Sequence, residues 1–478
     1  MTHNTDESKR WIALTVLCLG VLMIVLDTTI VNVALPSIRS DLGFSETSLV
    51  WVVNAYMLTF GGFLLLGGRL GDLFGQRKLF LLGIALFTLA STACGLANSQ
   101  VLLVTARAVQ GFGGALVSAV SLSLIMRLFT SPGDRAKAMG IYGFVAAGGG
   151  TIGVLLGGLL TSAFNWHWIF LVNLPIGLAV YAACVALLPA DKPLAVRVKL
   201  DVAGAIAVTA SLMLAVYTVV HANEAGWLSV QTLAQLAISL LLAIAFLVIE
   251  SRVSHPLMPL HIMALRNVAA ANVVGVMWAA SLFAWSFISA LYLQRVLNYS
   301  AMQVGLAFLP ASIPMAVLSL GLSAKLVMRF GIRIPLSLGL LVAAAGLALF
   351  ARAPVDGGFM ADVLPGMLLI GLGAGVAFNP VLLAAMSDVA VEESGLASGI
   401  VNTSFMMGGA LGLAILASLA ASCTAGLAAA GADAVTALNG GYRLAFLLGA
   451  LTAAMAAALA GSFVRTRMQS PPHHESNG

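Results

Sequence analysis

Two ionisable residues, Asp27 and Arg107, lie deep inside apolar stretches of this 478-residue sequence. Asp27 is the only ionisable residue between Trp11 and Arg39. A charge at the depth of a bilayer costs a few kcal/mol or more, so embedded charges mark ion pathways and proton relays. A carboxylate is able to accept and release a proton, and a nearby cation changes the pH at which it does so. We therefore interpret this pair as candidates for proton transfer.

Arg107 shares one face of its predicted helix with small and polar residues. At helical spacing, Gln110, Gly111, Gly114 and Ser118 lie on the same side as Arg107 in an otherwise apolar segment. On the functional interpretation, Arg107 tunes a carboxylate and joins a proton relay. On the structural interpretation, Arg107 donates hydrogen bonds to backbone carbonyl groups between helices. The sequence leaves both roles open.

The segments that hold these residues read as membrane spans. The sequence is 60% hydrophobic and 9% charged, whereas soluble domains carry about 25% charged residues. Apolar segments long enough to cross a bilayer as helices recur from end to end. We predict an all-α polytopic membrane protein with fourteen spans, at residues 11–35, 48–68, 79–97, 101–126, 138–161, 169–188, 201–221, 230–250, 268–294, 303–326, 334–352, 363–387, 395–421 and 442–464.

The basic residues orient these spans. With the N-terminus inside, all but five of the 23 lysines and arginines fall on the cytoplasmic side, as the positive-inside rule requires. The exceptions are Arg39, Arg295, Arg352 and Arg443 on the outer side and Arg107 within the membrane. We therefore expect a multi-pass protein with both termini in the cytoplasm.

Several other protein classes do not fit the sequence. The net charge is +5, but the basic residues lie in short loops, which argues against a nucleic-acid partner. The four cysteines lie in apolar segments without metal-ligand spacing, so we expect neither a metal site nor disulfides. Nucleotide-binding sequences and paired catalytic carboxylates are absent from the sequence, so we do not expect an enzyme.

A weak internal repeat divides the chain. GRLGDLFGQRK follows span two, AKLVMRFGIR follows span ten, and aligning Gly75 with Gly331 pairs Arg77 with Arg333. Two six-helix halves with a site at their junction are typical of transporters. We predict a cytoplasmic tail at 1–10, a bundle at 11–188, a linker with two inserted helices at 189–267, a second bundle at 268–464 and a tail at 465–478.

The loop GRLGDLFGQRK combines glycines with charges at specific positions. Gly68 and Gly75 permit a tight turn between two helix ends, and Asp72 is able to accept hydrogen bonds from helix N-terminal N–H groups. Arg77 would remain on the cytoplasmic surface. We predict that these residues form a cytoplasmic gate loop, with an ordinary basic loop as the alternative.

This loop resembles the GxLaDrxGrk signature of the major facilitator superfamily. RAVQGFGGA (107–115) is similar to that superfamily's RxxQGxGaA motif. LDTTIVNVALP (26–36), WHWIFLVNLPIG (166–177) and NTSFMMGGALGLAIL (402–416) resemble patterns of its fourteen-helix drug:proton antiporter-2 group. The resemblance covers about residues 10–465. It implies two six-helix bundles with alternating access, and export driven by inward proton flow across the bacterial cytoplasmic (inner) membrane, without a cofactor.

Span five carries a repeated GxxxG pattern at Gly149, Gly153 and Gly157, which lets another helix approach closely. The resemblance makes this stretch the antiporter motif of the group. That motif has a Gly-Pro pair where this sequence has Gly153 followed by Val154. Without proline, a kink at this point is not expected. The pattern therefore predicts helix packing more firmly than it predicts antiport.

These observations lead to one expected function and two alternatives. We expect a proton-coupled exporter of lipophilic, cationic drugs or antiseptics, acting as a monomer, with the bilayer, protons and a small molecule as its partners. A dedicated exporter of one metabolite, such as an antibiotic or siderophore, and a non-transporting sensor or scaffold are the alternatives. Candidate cavity residues, for which lipid contact or helix packing is the other interpretation, are Asn54, Tyr56, Gln110, Tyr217, Trp278, Trp285, Asn379, Asn402 and Met406.

Overall fold

The structure is a computed structural model that describes residues 2–129, 131–188, 201–253, 256–386, 388–389 and 394–464. The secondary structure in these ranges is helical, and none of these residues forms a strand. Thirteen helices are long and apolar enough to cross a membrane. The predicted all-α polytopic architecture is therefore confirmed.

The continuous spans agree with the predicted ones to within a few residues at most ends. The largest differences are at the two ends of span one, at the outer end of span thirteen and at the start of span fourteen. Their bounds are Thr2–Leu42 (span one), Trp51–Phe74 (two), Gln76–Gly95 (three), Gln100–Leu128 (four), Pro132–Ala163 (five), Asn173–Leu187 after the short helix Trp168–Leu171 (six), Val202–Ala225 (seven), Val230–Arg252 (eight), Arg266–Arg295 (nine), Arg333–Phe350 (eleven), Leu364–Met386 after the π-helical turn Phe359–Val363 (twelve), Ser394–Ala429 (thirteen) and Ala434–Phe463 (fourteen).

Span ten is segmented rather than continuous. Pro310 and Pro314 lack the backbone N–H that a continuous helix would use, which accounts for breaks in this region. Between the prolines and the cytoplasmic end, the backbone winds into a π-helical turn. Its successive pieces are Ala301–Ala307, Leu309–Val317, Leu318–Leu322 and Ser323–Phe330.

The two copies of the predicted repeat share an unusual backbone conformation. Gly75 follows the last residue of span two with φ of 98°, and Gly331 follows the last residue of span ten with φ of 74°. Side chains are strongly disfavoured at such positive φ values, and glycine is not. The alignment of Gly75 with Gly331 in the sequence thus corresponds to equivalent turns in the structure.

Spans one to six form one bundle and spans nine to fourteen form another, and spans seven and eight pair with each other. Ser211 in span seven and Ser239 in span eight exchange hydrogen bonds with each other's backbone carbonyl groups, at 2.7 and 2.8 Å. Span seven contacts both span two and span thirteen. There, Thr209 lies against Gly62, and the Ser418 hydroxyl donates to the Val219 carbonyl at 3.0 Å.

Polar contacts join the two bundles near the end of span one, which we call the outer side following the orientation predicted from the charges. Each contact joins a residue of spans one, two or five to a residue of spans nine, ten or thirteen. The pairs are Asn32–Ser286 at 3.0 Å, Val33–Gln294 at 2.9 Å, Asn54–Ala410 at 2.9 Å and Ser162–Met302 at 3.0 Å. The structure therefore represents a conformation in which the outer ends of the bundles are closed together.

An ion-pair cluster lies at the same junction. Glu46, in the loop after span one, binds Arg39 of its own bundle at 3.1 Å and also pairs with Arg295 of the other bundle. About a quarter of each of these side chains is exposed to solvent. Glu46 thus connects the two bundles at their outer ends.

Candidate proton-coupling site

Asp27 and Arg107 form a buried ion pair. The Asp27 Oδ2 atom lies 2.5 Å from Nη1 of Arg107, and the two side chains are 0% and 1% exposed. Asp27 is on span one and Arg107 is on span four, so the pair lies inside the N-terminal bundle. Two charges removed from water are stable only when they are paired and their remaining polar atoms are bonded.

Gln110 closes a ring with the ion pair. Its Nε2 donates to Asp27 Oδ1 at 2.7 Å, and its Oε1 accepts from Arg107 Nη1 at 2.7 Å. Gln110 and Arg107 are three residues apart on one helix, so both side chains point the same way. Arg107 and Gln110 therefore face span one and hold both carboxylate oxygens, whereas Gly111 and Gly114 of the same stripe face span two.

Arg107 also holds span two. Its Nε donates to the Val52 carbonyl at 2.9 Å, and its guanidinium lies 4.4 Å from the ring centre of Tyr56. Cation–π contacts of this kind are worth about 2 kcal/mol or more when they are desolvated. Gly111 and Gly114 on the same stripe leave room for Tyr56 to approach. Arg107 thus binds both a carboxylate and a backbone carbonyl. The second contact is the structural role considered from the sequence, and a part in a proton relay stays a prediction.

Asn173 and Ser91 complete the environment of Asp27, and neither residue was predicted from the sequence. Asn173 Nδ2 lies 3.4 Å from Asp27 Oδ1 and donates to Ser91 Oγ at 2.9 Å. Ser91 in turn donates to the Phe170 carbonyl at 2.9 Å. Both side chains are buried. The signal that could have identified Asn173 is its amide side chain within the apolar run that follows Trp166 and Trp168.

The glycines of span five pack against span one beside Asp27. A Cβ atom at Gly149 would meet Val25, one at Gly153 would meet Leu26, and one at Gly157 would meet Ile30. The backbones approach so closely because these positions carry no side chain. The helix continues unbroken through Val154, in agreement with the missing proline.

The predicted cavity residues lie in different places, and two of them face the junction of the bundles. Asn54 donates to the Ala410 carbonyl, and Met406 lies against Gly61. Tyr56 and Gln110 belong instead to the environment of the ion pair. Span nine contributes two buried tryptophans, Trp278 and Trp285.

The remaining cavity candidates have local partners. Asn379 donates to the Ser319 carbonyl at 2.5 Å, and Asn402 donates to the Ser398 carbonyl of its own helix at 2.9 Å. Tyr217 is 40% exposed and stacks on His221, with ring centres 4.2 Å apart. Its position on the outside of span seven is that of a lipid-facing side chain.

Gly68 lies within the helix of span two and does not form the predicted turn, whereas Gly75 and Arg77 lie where spans two and three meet. Arg77 Nη2 donates to the Val185 carbonyl of span six at 2.6 Å, which ties this turn to the end of the sixth helix. A Cβ at Gly68 would meet open space, whereas Gly75 is buried and makes the turn. The side chain of Asp72 lies outside the described part of the structure.

The chain shares its sequence pattern with known exporters. The sequence profile of the Major Facilitator Superfamily matches residues 17–413. A puromycin resistance protein of Streptomyces alboniger is 39% identical over 97% of this chain and 93% of its own length. A cephamycin export protein of Amycolatopsis lactamdurans is 38% identical over 89% of this chain and 88% of its own length.

The fold is also shared with solved transporters. The crystal structure of an auto inhibited POT family peptide transporter has a TM-score of 0.67 at 15% identity, covering 97% of this chain and 99% of that one. A likeness at this identity concerns the fold alone. The profile match and the relatives lead to the same conclusion. The chain belongs to the Major Facilitator Superfamily, and it is a membrane transporter rather than an enzyme.

Proposed function

We propose that this transporter exports antibiotic-like lipophilic molecules in exchange for protons, and that Asp27 is the residue that carries the proton. One observation supports this proposal most strongly. The Asp27 carboxylate is fully buried inside a bundle, where a cation and two amide groups bind it. The contacts also link neighbouring spans, but apolar side chains could link them without the cost of burying two charges. A buried ionic network is a weak source of stability, so a functional role is the better explanation.

Protonation of Asp27 would weaken the ring of hydrogen bonds that joins Asp27, Arg107 and Gln110. A neutral carboxyl group no longer balances the Arg107 guanidinium, which keeps its bonds to Val52 and Gln110. The Arg107 guanidinium would then be held mainly by these partners and by the Tyr56 ring. Because its attraction to Asp27 would be weaker, span four would shift relative to span one. A proton on Asp27 thus changes the free-energy difference between two packings of the N-terminal bundle, as a coupling ligand must.

The closed outer junction controls when a proton reaches Asp27. In this conformation Asp27 is sealed, and span one is joined to the other bundle through Asn32 and Val33. Separation of the outer ends would break these contacts and admit water from outside. Access from one side at a time is what exchange requires, because a site open to both sides would leak protons.

The substrate site we propose lies where the bundles meet. At this junction the buried Oδ1 atom of Asn54 has no hydrogen-bond partner in the protein, and Met57, Met406 and Phe283 pack across it. Aromatic rings with a few free polar atoms suit lipophilic molecules with scattered polar groups. Asp27 is committed to Arg107, so recognition would rest on shape and aromatic contact more than on a substrate's positive charge.

Breadth of substrate separates two versions of this function. The relatives named above carry the names of single antibiotics, which favours a dedicated exporter, whereas another relative, from Mycobacterium tuberculosis, is named multidrug resistance protein Stp. We keep the broad exporter as the first candidate because methionine and aromatic side chains line the junction and adapt to different shapes. A monomer in the bacterial cytoplasmic membrane, with both termini inside and no cofactor, completes the proposal.

Transport by purified protein in liposomes tests the proposal. In liposomes where the cytoplasmic side of the protein faces outward, an imposed proton gradient should drive uptake of puromycin or other lipophilic drugs. Protons should leave the lumen in exchange. Asp27→Asn should abolish the proton-driven part, and Asp27→Glu should retain some of it. A panel of unrelated compounds decides between broad and dedicated export. Undiminished proton-driven transport by Asp27→Asn would contradict the proposal.

A further inference from the structure

A pair of acids lies at those ends of the two inserted helices that are predicted to face the cytoplasm. Asp201 immediately precedes span seven, and Glu250 lies two residues before the end of span eight. The two residues are 4% and 3% exposed. Acidic residues at span ends normally reach water, so burial of both requires an explanation.

One oxygen of each carboxyl group has a backbone partner. Asp201 Oδ1 accepts from the Gly204 N–H at 2.8 Å, and Glu250 Oε2 accepts from the Met258 N–H at 3.0 Å. The other two oxygens, Asp201 Oδ2 and Glu250 Oε1, are buried and have no donor from the protein. The two side chains are neighbours, because Leu257, beside the Met258 donor, shares one apolar cluster with Ala205, four residues after Asp201.

Two ionised carboxylates cannot form a hydrogen bond, because both are acceptors only. Two negative charges in contact and out of water also repel strongly, which keeps one of them protonated in known acid pairs. We propose that Asp201 and Glu250 share one proton and form a second protonation site, on the cytoplasmic side. The proton sits between the two free oxygens and is exchanged with the cytoplasm.

Among the described residues, the surroundings of the pair favour a proton over a metal ion or a basic partner. Leu66 of span two packs against Ala205 and Leu257 in an apolar cluster at this site. Span two also carries Arg69, and the segment after Glu250 carries Arg252 and His261, both exposed. The groups that act on the Glu250 carboxyl among the described residues are the Asp201 carboxyl and the Leu257 and Met258 N–H groups. None of these groups is a cation.

The shared proton would make the attachment of the inserted helices to span two depend on cytoplasmic pH. Loss of the proton leaves two negative charges against the apolar contact with Leu66, and the contact weakens. Span two runs from this contact to the gate loop at Gly75, so the site is placed to bias the conformation of that loop. This proposal does not rest on proton-driven export or on Asp27.

Infrared spectroscopy of the full-length protein in lipid nanodiscs tests the shared proton. Difference spectra between neutral and alkaline pH should contain the C=O band of one protonated carboxyl group. The band should be lost in Glu250→Gln and in Asp201→Asn and retained in Asp27→Asn. A wild-type spectrum without the band, or an unchanged band in Glu250→Gln and Asp201→Asn, would overturn the proposal.

Thermal unfolding is a second test, and it remains possible for a poorly expressed variant because it requires little protein. Glutamine at position 250 has an N–H donor at every pH, so the Glu250→Gln protein should keep its Tm as pH rises above neutrality, whereas the wild-type Tm should fall. A parallel fall in both proteins would contradict the shared proton. So would a wild-type Tm that rises with added Mg²⁺ or Na⁺ and not in Glu250→Gln, because the pair would then bind a metal cation.

Discussion

Asn32 donates a hydrogen bond of 3.0 Å to Ser286 across the junction of the two bundles, whereas Asp27, five residues earlier on the same helix, binds Arg107 inside its own bundle. Five residues correspond to about 140° around a helix. Span one therefore has one face in the proton site and another in the outer closure. A rotation or tilt of this helix would act on both.

Replacing Asp27 by asparagine should reduce stability as well as transport. The substitution leaves the Arg107 guanidinium buried without its counter-charge, and breaking a buried pair in this way costs about 3–5 kcal/mol. Thermal unfolding in detergent should show a lower Tm for Asp27→Asn. The double variant Asp27→Asn with Arg107→Gln should recover part of that loss without recovering proton-driven export. A double variant less stable than the single one would contradict the buried-pair explanation.

Alanine at Gly153 should impair transport and stability. Its Cβ would lie 3.0 Å from the Leu26 carbonyl oxygen and 3.2 Å from Leu26 Cα, so span five would have to move away from span one. The matched control is Gly148→Ala on the same helix, where a Cβ meets nothing within 4 Å. Gly148→Ala should leave export unchanged and raise helix stability by up to about 1 kcal/mol. Equal export by the two variants would refute the close packing.

Removing Arg295 should favour opening of the outer side. Glu46 would keep its partner Arg39 and lose its link to the other bundle. A partly exposed ion pair contributes about 0.2–1 kcal/mol, so Arg295→Gln should raise the open population by up to about fivefold. Spin-label distances between the outer ends of spans five and ten would measure this shift. Arg39→Gln is the control, since it removes a pair within one bundle, and it should shift the distances less.

The start of span fourteen should become more mobile in acid. The Thr436 side chain and the N–H groups of Thr436 and Val435 are hydrogen-bonded to the Asp433 carboxylate, and these bonds lower its pKa. A lowered folded-state pKa gives stabilisation that is present above the usual aspartate pKa and is lost as pH falls through the lowered value. Amide exchange near Ala434 should therefore increase at acidic pH. Asp433→Asn should remove this pH dependence while keeping a cap.

Much of the fold was predictable because membrane spans follow a simple rule of apolar length, and part of the site was predictable because its charges violate that rule. Apolar length gave the spans, and Asp27 and Arg107 were identified because charges rarely occur inside such segments. Asn173 and Ser91 were missed because neutral polar residues are ordinary in spans, where they bond neighbouring helices. Asp201 and Glu250 were missed for another reason. Charges are expected at span ends, and only the packing onto span two buries them.

The segmentation of span ten was also missed. A hydropathy window averages over Pro310 and Pro314 and registers only their apolar character. The consequence of a proline depends on whether neighbouring helices supply other partners for the freed backbone groups. Such partners are found only in tertiary contacts: the Ser323 hydroxyl of span ten donates at 3.0 Å to the Val376 carbonyl of span twelve, four residues before Pro380.

Span seven covers one of the two seams between the bundles, since it contacts spans two and thirteen together. A drug dissolved in the lipid therefore has no lateral portal on that flank. The opposite flank, where spans five and ten meet, presents Ile152, Ile313 and Val317, whose side chains are 49–62% exposed. The inserted helices therefore make the transporter asymmetric in the plane of the membrane, since span seven covers one seam and the other faces the lipid directly.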